Sequence, residues 1–101
     1  MELFNRILGT AVQGGASDVH VKIGTPIIFR INRKLVAIEA PLPTAAWVEG
    51  VLEHIVPKHL KKRLEDEHEI DFSYLAEGVG RFRTNVFQQR GQFALAMRFV
   101  K

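Results

Sequence analysis

The sequence has no cysteine, so neither a disulfide framework nor a thiolate metal site is open to it. That fits a reducing compartment. No apolar run approaches the roughly 18–20 residues of a membrane span. The opening MELFNRILGTAVQGG lacks the long apolar segment of a secretory leader, and the chain reads as cytoplasmic. No G-x-x-x-x-G-K-[ST] phosphate-binding loop occurs. His20, His54, His59 and His68 lie in separate segments without ligand spacing, which argues against a metal. No repeat, low-complexity tract or linker interrupts the chain.

What is present describes one globular domain over residues 1–101. The chain is 47% hydrophobic and 25% charged, in the range of ordinary folded proteins and too short for two cores. Lys and Arg number 14 against 11 Asp and Glu, a net charge of +3. These basic residues are spread from Arg6 to Lys101 rather than gathered on a stripe, so nucleic acid is not the expected partner.

Leu3, Phe4, Ile7, Leu8, Ala11 and Val12 form one helical stripe, ended by Gly14 and Gly15. From Asp18 to Ile23 the pattern alternates, with Val19, Val21 and Ile23 on one face and Asp18, His20 and Lys22 on the other. Gly24-Thr25-Pro26 reads as a turn, Ile27 to Ile31 as a more buried strand, Asn32-Arg33-Lys34 as a connection, and Leu35 to Ile38 as a third strand. Thr44 is placed to cap a helix bearing Val48, Val51, Leu52 and Ile55. Pro57 breaks that helix and opens the next at its first position, with Leu60 and Leu64 inward and Lys61–Glu65 and Lys62–Asp66 pairs on its surface. Glu65, Asp66, Glu67 and Glu69 read as a solvated helix end rather than an acid–base pair. Ile70, Phe72 and Tyr74 begin a strand-rich final third. The order α-β-β-β-α-α-β-β-β implies an α+β domain, an antiparallel sheet with helices packed on one face.

The last hairpin is the most informative segment. A two-residue turn at Arg90-Gly91 makes opposed residue numbers sum to 181. Phe82 then faces Phe99, Thr84 faces Met97 and Val86 faces Leu95, a coherent apolar face; Arg83 faces Arg98 on the other. Like charges opposed in a sheet repel. With the small Ala96 and polar Asn85 beside them, the two guanidiniums converge over open space, an arrangement suited to an oxyanion such as phosphate. Arg81, two residues earlier on the same face, is a third candidate. The alternative is that each arginine pairs with a carboxylate, Asp71 or Glu69 for example, or lies in water.

The run Gly15-Ala16-Ser17-Asp18-Val19-His20-Val21 resembles the G-A-S-D signature of the type II/IV secretion ATPase superfamily, and Ile28-Phe29-Arg30-Ile31-Asn32 resembles the strand that follows it. Glu69-Ile70-Asp71-Phe72-Ser73, the run from Gly80 to Gln88, and Ala96-Met97-Arg98-Phe99 look like the PilT-type pilus-retraction branch. The turn at Asn32-Arg33-Lys34 departs from that pattern, which has Asp-Gly there. The resemblance implies a PAS-like amino-terminal domain, with the RecA-like ATPase domain that binds ATP and Mg²⁺ absent from this chain. The expected parent is a homohexameric motor at the cytoplasmic base of the type IV pilus, peripheral to the inner membrane. It would act on an inner-membrane platform protein and drive twitching motility by pilus retraction. Matched by motif, Arg83 and Arg98 are implied to reach the nucleotide held by the RecA-like domain. Asp18 and His20 are expected to serve structure or a subunit interface, His20 through a hydrogen bond, with Asp18 nearby. The chain alone is not expected to hydrolyse ATP. Two other readings stand beside this one: a free-standing PAS-like ligand sensor, and a nucleic-acid module using Arg81, Arg83 and Arg98.

Overall fold

The structure, a computed structural model, describes residues 1–101. Helix α1 (Glu2–Gln13) precedes three strands, β1 (Ala16–Lys22), β2 (Ile28–Ile31) and β3 (Lys34–Ala37). Helices α2 (Ala45–Ile55) and α3 (Lys58–Glu67) follow, and then β4 (Glu69–Ala76), β5 (Gly80–Gln89) and β6 (Gln92–Val100). The element order is the one expected from the residue pattern. All six strands form one antiparallel sheet, in the order β3-β2-β1-β6-β5-β4.

That order explains why one face is covered and the other bare. β3 and β4 are opposite edges of the sheet, so the α2–α3 connection between them has to cross a face. The helices cross below, and their apolar stripes meet the inward side chains. Phe4, Leu8 and Ala11 of α1, Val48 and Val51 of α2 and Leu64 of α3 share one core with Val19, Val21, Phe29, Ile70, Phe82, Val86, Leu95 and Met97. Each large apolar side chain enclosed there contributes about 1.5–3 kcal/mol. Phe4 packs edge-on to Trp47 and tilted to Tyr74, and the Tyr74 hydroxyl donates to Asn5 Oδ1 at 2.8 Å, tying α1 to β4. No helix is long and apolar enough to cross a membrane.

The local signals held with small adjustments. The Thr44 hydroxyl accepts from the Trp47 backbone N–H at 3.1 Å, as an N-cap should. Pro57 is the N-cap of α3 rather than its first helical residue, since Lys58 is the first to turn. Lys61 does not pair with Glu65. It crosses instead to Glu53 of α2 at 2.8 Å, joining the two helices, while Lys62–Asp66 forms as expected. The connection between β2 and β3 is two residues, not three. Asn32 and Arg33 take φ of 50° and 69°, and Lys34 already pairs with Ile31. Positive φ at both central positions makes this a hairpin turn of type I′ character, which absorbs the missing glycine as strain. β3 ends at Ala37, one residue before the expected Ile38, and as an edge strand it is exposed throughout.

The β5–β6 register is the one that sums to 181, from Arg81↔Val100 to Gln89↔Gln92. The turn is Arg90-Gly91, with φ of 53° and 79°.

Candidate functional site

Alternation along the strands sends every second residue to the uncovered face, and antiparallel pairing lines those residues up in rows. One row crosses the whole sheet: Ser73, Arg83, Arg98, Asp18, Arg30 and Leu35. The next holds Asp71, Asn85, Ala96, His20, Ile28 and Ala37. Over the β4–β5–β6–β1 part of these rows lies an open depression of about 560 Å³, rimmed by Asp18, Asp71, Ser73, Arg83, Asn85 and Arg98. Ala96 forms part of its floor, and its short side chain leaves the space open.

The two arginines differ in how they are held. Arg98 donates its Nε–H to Asp18 Oδ1 at 3.3 Å. Arg83, directly across from it, has neither a hydrogen bond nor a carboxylate partner. The carboxylates that were its alternative partners are engaged elsewhere: Asn85 Nδ2 donates to Asp71 Oδ1 and to Glu69 Oε2, both at 3.1 Å. The reason is geometric. Asp71 stands opposite Asn85, not opposite Arg83, whose own β4 neighbour is Ser73. Arg81 does not line the depression; its Nη1 donates to Ser73 Oγ at 3.0 Å.

Asp18 is the centre of the row. Its side chain is only 13% exposed and takes Arg98 on Oδ1, and on Oδ2 the Ser17 hydroxyl at 2.7 Å and Arg30 Nε at 3.6 Å. Burial is the largest single influence and pushes its pKa up. The Ser17 and Arg98 hydrogen bonds, the Arg98 charge and the His20 charge together outweigh it, so the carboxyl titrates below its usual 3.8. His20 is half-buried on the same face, and its side chain makes no hydrogen bond within this chain. Arg30 and Ser17 are the members of this cluster to which the residue pattern assigned no role. Alternation puts Asp18 and Arg30 on outward positions of adjacent strands, but the row they share depends on where the Gly24-Thr25-Pro26 turn is centred.

Chemically, the depression offers an unpaired guanidinium and the free Nη groups of a second, above a sheet with no side chain long enough to fill the gap. Such a site is complementary to a tetrahedral oxyanion.

The chain is 32% identical over 83 residues to the type IV pilus retractation ATPase PilT of Pseudomonas aeruginosa, a stretch that is 82% of this chain and 24% of that protein. It is also 27% identical over 99 residues to the type IV pilus ATPase PilU of the same organism, which is 97% of this chain and 26% of PilU. The crystal structure of the pilus retraction motor PilT with bound ADP superimposes with a TM-score of 0.87 and 32% identity, over 96% of this chain and 29% of that one. The chain is a homologue of PilT and PilU. Its six-stranded α+β fold is that of the PilT amino-terminal domain. The Legionella pneumophila ATPase DotB shares the fold at 20% identity, with a TM-score of 0.83 over 99% of this chain and 29% of DotB. No family model matches the chain. It spans about a quarter of the length of PilT and PilU.

Proposed function

We propose that this chain is the amino-terminal module of a hexameric type IV pilus retraction ATPase, and that Arg83 and Arg98 contact the phosphates of a nucleotide held by a RecA-like domain. In this reading the motor sits on the cytoplasmic side of the inner membrane, at the pilus base, and engages a platform protein there. Homology to PilT and PilU supports the family role.

The observation that carries the site assignment is the opposition of Arg83 and Arg98 over an open depression, with Arg83 free of any carboxylate. Holding two cations face to face is unfavourable for the fold. An anion arriving between them relieves that repulsion, so the arrangement is complementary to the ligand rather than to the empty state. The residues present fit a phosphoryl group. Most of the residues around the depression are polar or charged; Phe72 and Met97 also border it but stand in the row that alternates with the Arg83–Arg98 row, and the nucleoside and Mg²⁺ are left to the other domain. ATP supplies the transferable phosphoryl group. Arg83 and Arg98 supply fixed positive charge where negative charge builds as that group transfers.

The test is ATP hydrolysis by the full-length protein. Arg83→Ala and Arg98→Ala are each expected to lower kcat by about a hundredfold, with the melting temperature little changed. Hydrolysis at the parental rate in both variants would remove the assignment.

A further inference from the structure

Arg98 is held by one edge only. Its Nε–H meets Asp18 Oδ1 at 3.3 Å, its side chain is 74% exposed, and no protein atom accepts from its Nη groups. Asp18 is itself fixed from two other directions. The Ser17 hydroxyl donates to its Oδ2 at 2.7 Å, and Arg30 Nε stands at 3.6 Å from the same oxygen. The backbone arranges this. The β1–β2 register shifts between Ala16 and Asp18, a bulge that sets Ser17 beside Asp18 on the outer side, where Ser17 Oγ also reaches the Arg30 carbonyl at 3.4 Å. Bulges commonly re-aim side chains next to functional sites.

We infer that Asp18 is a positioning residue: it grips Arg98 through Nε, aims the free Nη edge over the depression, and relies on Arg30 to balance its own charge. The inference rests on the phosphate-contact reading of Arg98. An arginine has two hydrogen-bonding edges, and a carboxylate on the Nε side leaves the four Nη hydrogens for an oxyanion. The anion therefore has no need to displace Asp18. Arg30 gives the aspartate a second cation, so Arg98 shifting toward a ligand does not strand a largely buried carboxylate. Arg98 is thus restrained in direction at its Nε and left able to bind through its Nη groups. Arg83, lacking any such grip, depends on the ligand for its order. The two arginines would contribute in different ways, Arg98 held in place beforehand and Arg83 ordered by the ligand.

Two measurements test this, and they fail differently. The first uses the 101-residue chain without nucleotide and follows hydrogen exchange at Arg98 Nε by ¹⁵N NMR. Exchange several-fold faster in Asp18→Asn than in the parent is expected; equal rates would show that no grip exists, whatever the nucleotide does. The second uses the full-length ATPase. Asp18→Asn should lower kcat about tenfold with little change in the KM for ATP, because aim rather than charge is lost. Arg98→Lys should be as inactive as Arg98→Ala, since an ammonium can satisfy Asp18 but has no second edge to present. Asp18→Asn combined with Arg98→Ala should be no worse than Arg98→Ala alone. Parental activity in Arg98→Lys or in Asp18→Asn, or additive losses in the double variant, would reduce the contact to a strand clasp and overturn the inference. Should Asp18→Asn fold poorly, the exposed Ser17→Ala loosens Asp18 in the same direction and should give a smaller loss of kcat; an unchanged kcat there counts against the inference. Arg98→Ala at the parental rate would instead remove the nucleotide reading, while the exchange measurement still reports on the grip.

Discussion

On the inner face of the sheet, Val19, Phe82, Val86, Leu95 and Met97 are closed off by three helices, whereas Asp18, Arg83 and Arg98 stand on the same three strands and look the other way. The inner set is held by shape and by exclusion of water, and any loss there is a loss of fold. The outer set includes two opposed cations that cost the fold something, and one of them has no partner at all. Because the two sets alternate residue by residue, stability and binding occupy different positions of the same strand. Substitution should separate them.

The largest difference in cost is expected between the chain neighbours Phe82 and Arg83. Phe82→Ala empties a side chain that is 1% exposed and should cost about 3–5 kcal/mol in a urea titration. Arg83→Ala, one residue on, should change stability by no more than about 0.5 kcal/mol. Similar costs at the two sites would mean that the outer face is structural after all. Next in size is Gly80, which begins β5 with φ of +149°, where a Cβ would lie 2.6 Å from Phe99 Cε1. Phe99 packs against Phe82, with ring centroids 5.4 Å apart, and has limited room to retreat. Gly80→Ala should therefore cost about 1–3 kcal/mol from backbone strain and contact together, read as a lowered Tm.

Acid probes the outer face through Asp18, and Asp18→Asn leaves the helix pairs such as Glu53–Lys61 in place as a common background. The Asp18 carboxyl titrates below 3.8 in the folded chain, so its ion pairs stabilise the fold fully above that pH and are lost as pH falls through the folded value. The parent should lose stability between pH 5 and pH 2 by more than Asp18→Asn does. An identical acid loss in the two proteins would show that Asp18 is not paired in solution.

How much of this was legible follows the same division. Inner positions announce themselves: Val19, Val21 and Ile23 alternate with polar neighbours, and a single register of the last hairpin keeps Phe82, Val86, Leu95 and Met97 on one side. Local caps such as Thr44 were equally plain. The opposition of Arg83 and Arg98 could be read because a two-residue turn joins their strands and the count is short. The grip of Asp18 on Arg98 could not, since β1 and β6 are 80 residues apart in sequence at that contact and no local pattern encodes their register. The same limit hid the fate of Asp71 and Glu69. Their proximity to the arginines was evident, but only the β4–β5 row assignment shows that Asn85 takes them both. Lys61 illustrates the limit for helices, where an i, i+4 partner was available and a residue on the adjoining helix was taken instead.

The smallest expected effect tests whether faces or turns set the register. Arg90 adopts φ of 53° beside Gly91 at 79°, a type I′ geometry that arginine tolerates poorly and asparagine prefers. If the turn dictated the pairing, a residue so ill-suited would be expected to loosen the hairpin, and improving it would tighten the strands throughout. If the alternating faces dictate it, the register is already fixed by Phe82, Val86, Leu95 and Met97 against the helices, and the turn merely joins strands that pairing has aligned. Arg90→Asn should then raise stability by about 0.5 kcal/mol through relief of local strain. Cross-strand contacts between Phe82 and Phe99 should be unchanged in NMR spectra of the 101-residue chain. Altered contacts near the arginine row, six pairs from the Gln89–Gln92 pair that closes the hairpin, would show that the turn does more than join. Their persistence would leave the inner face as what holds Arg83 opposite Arg98.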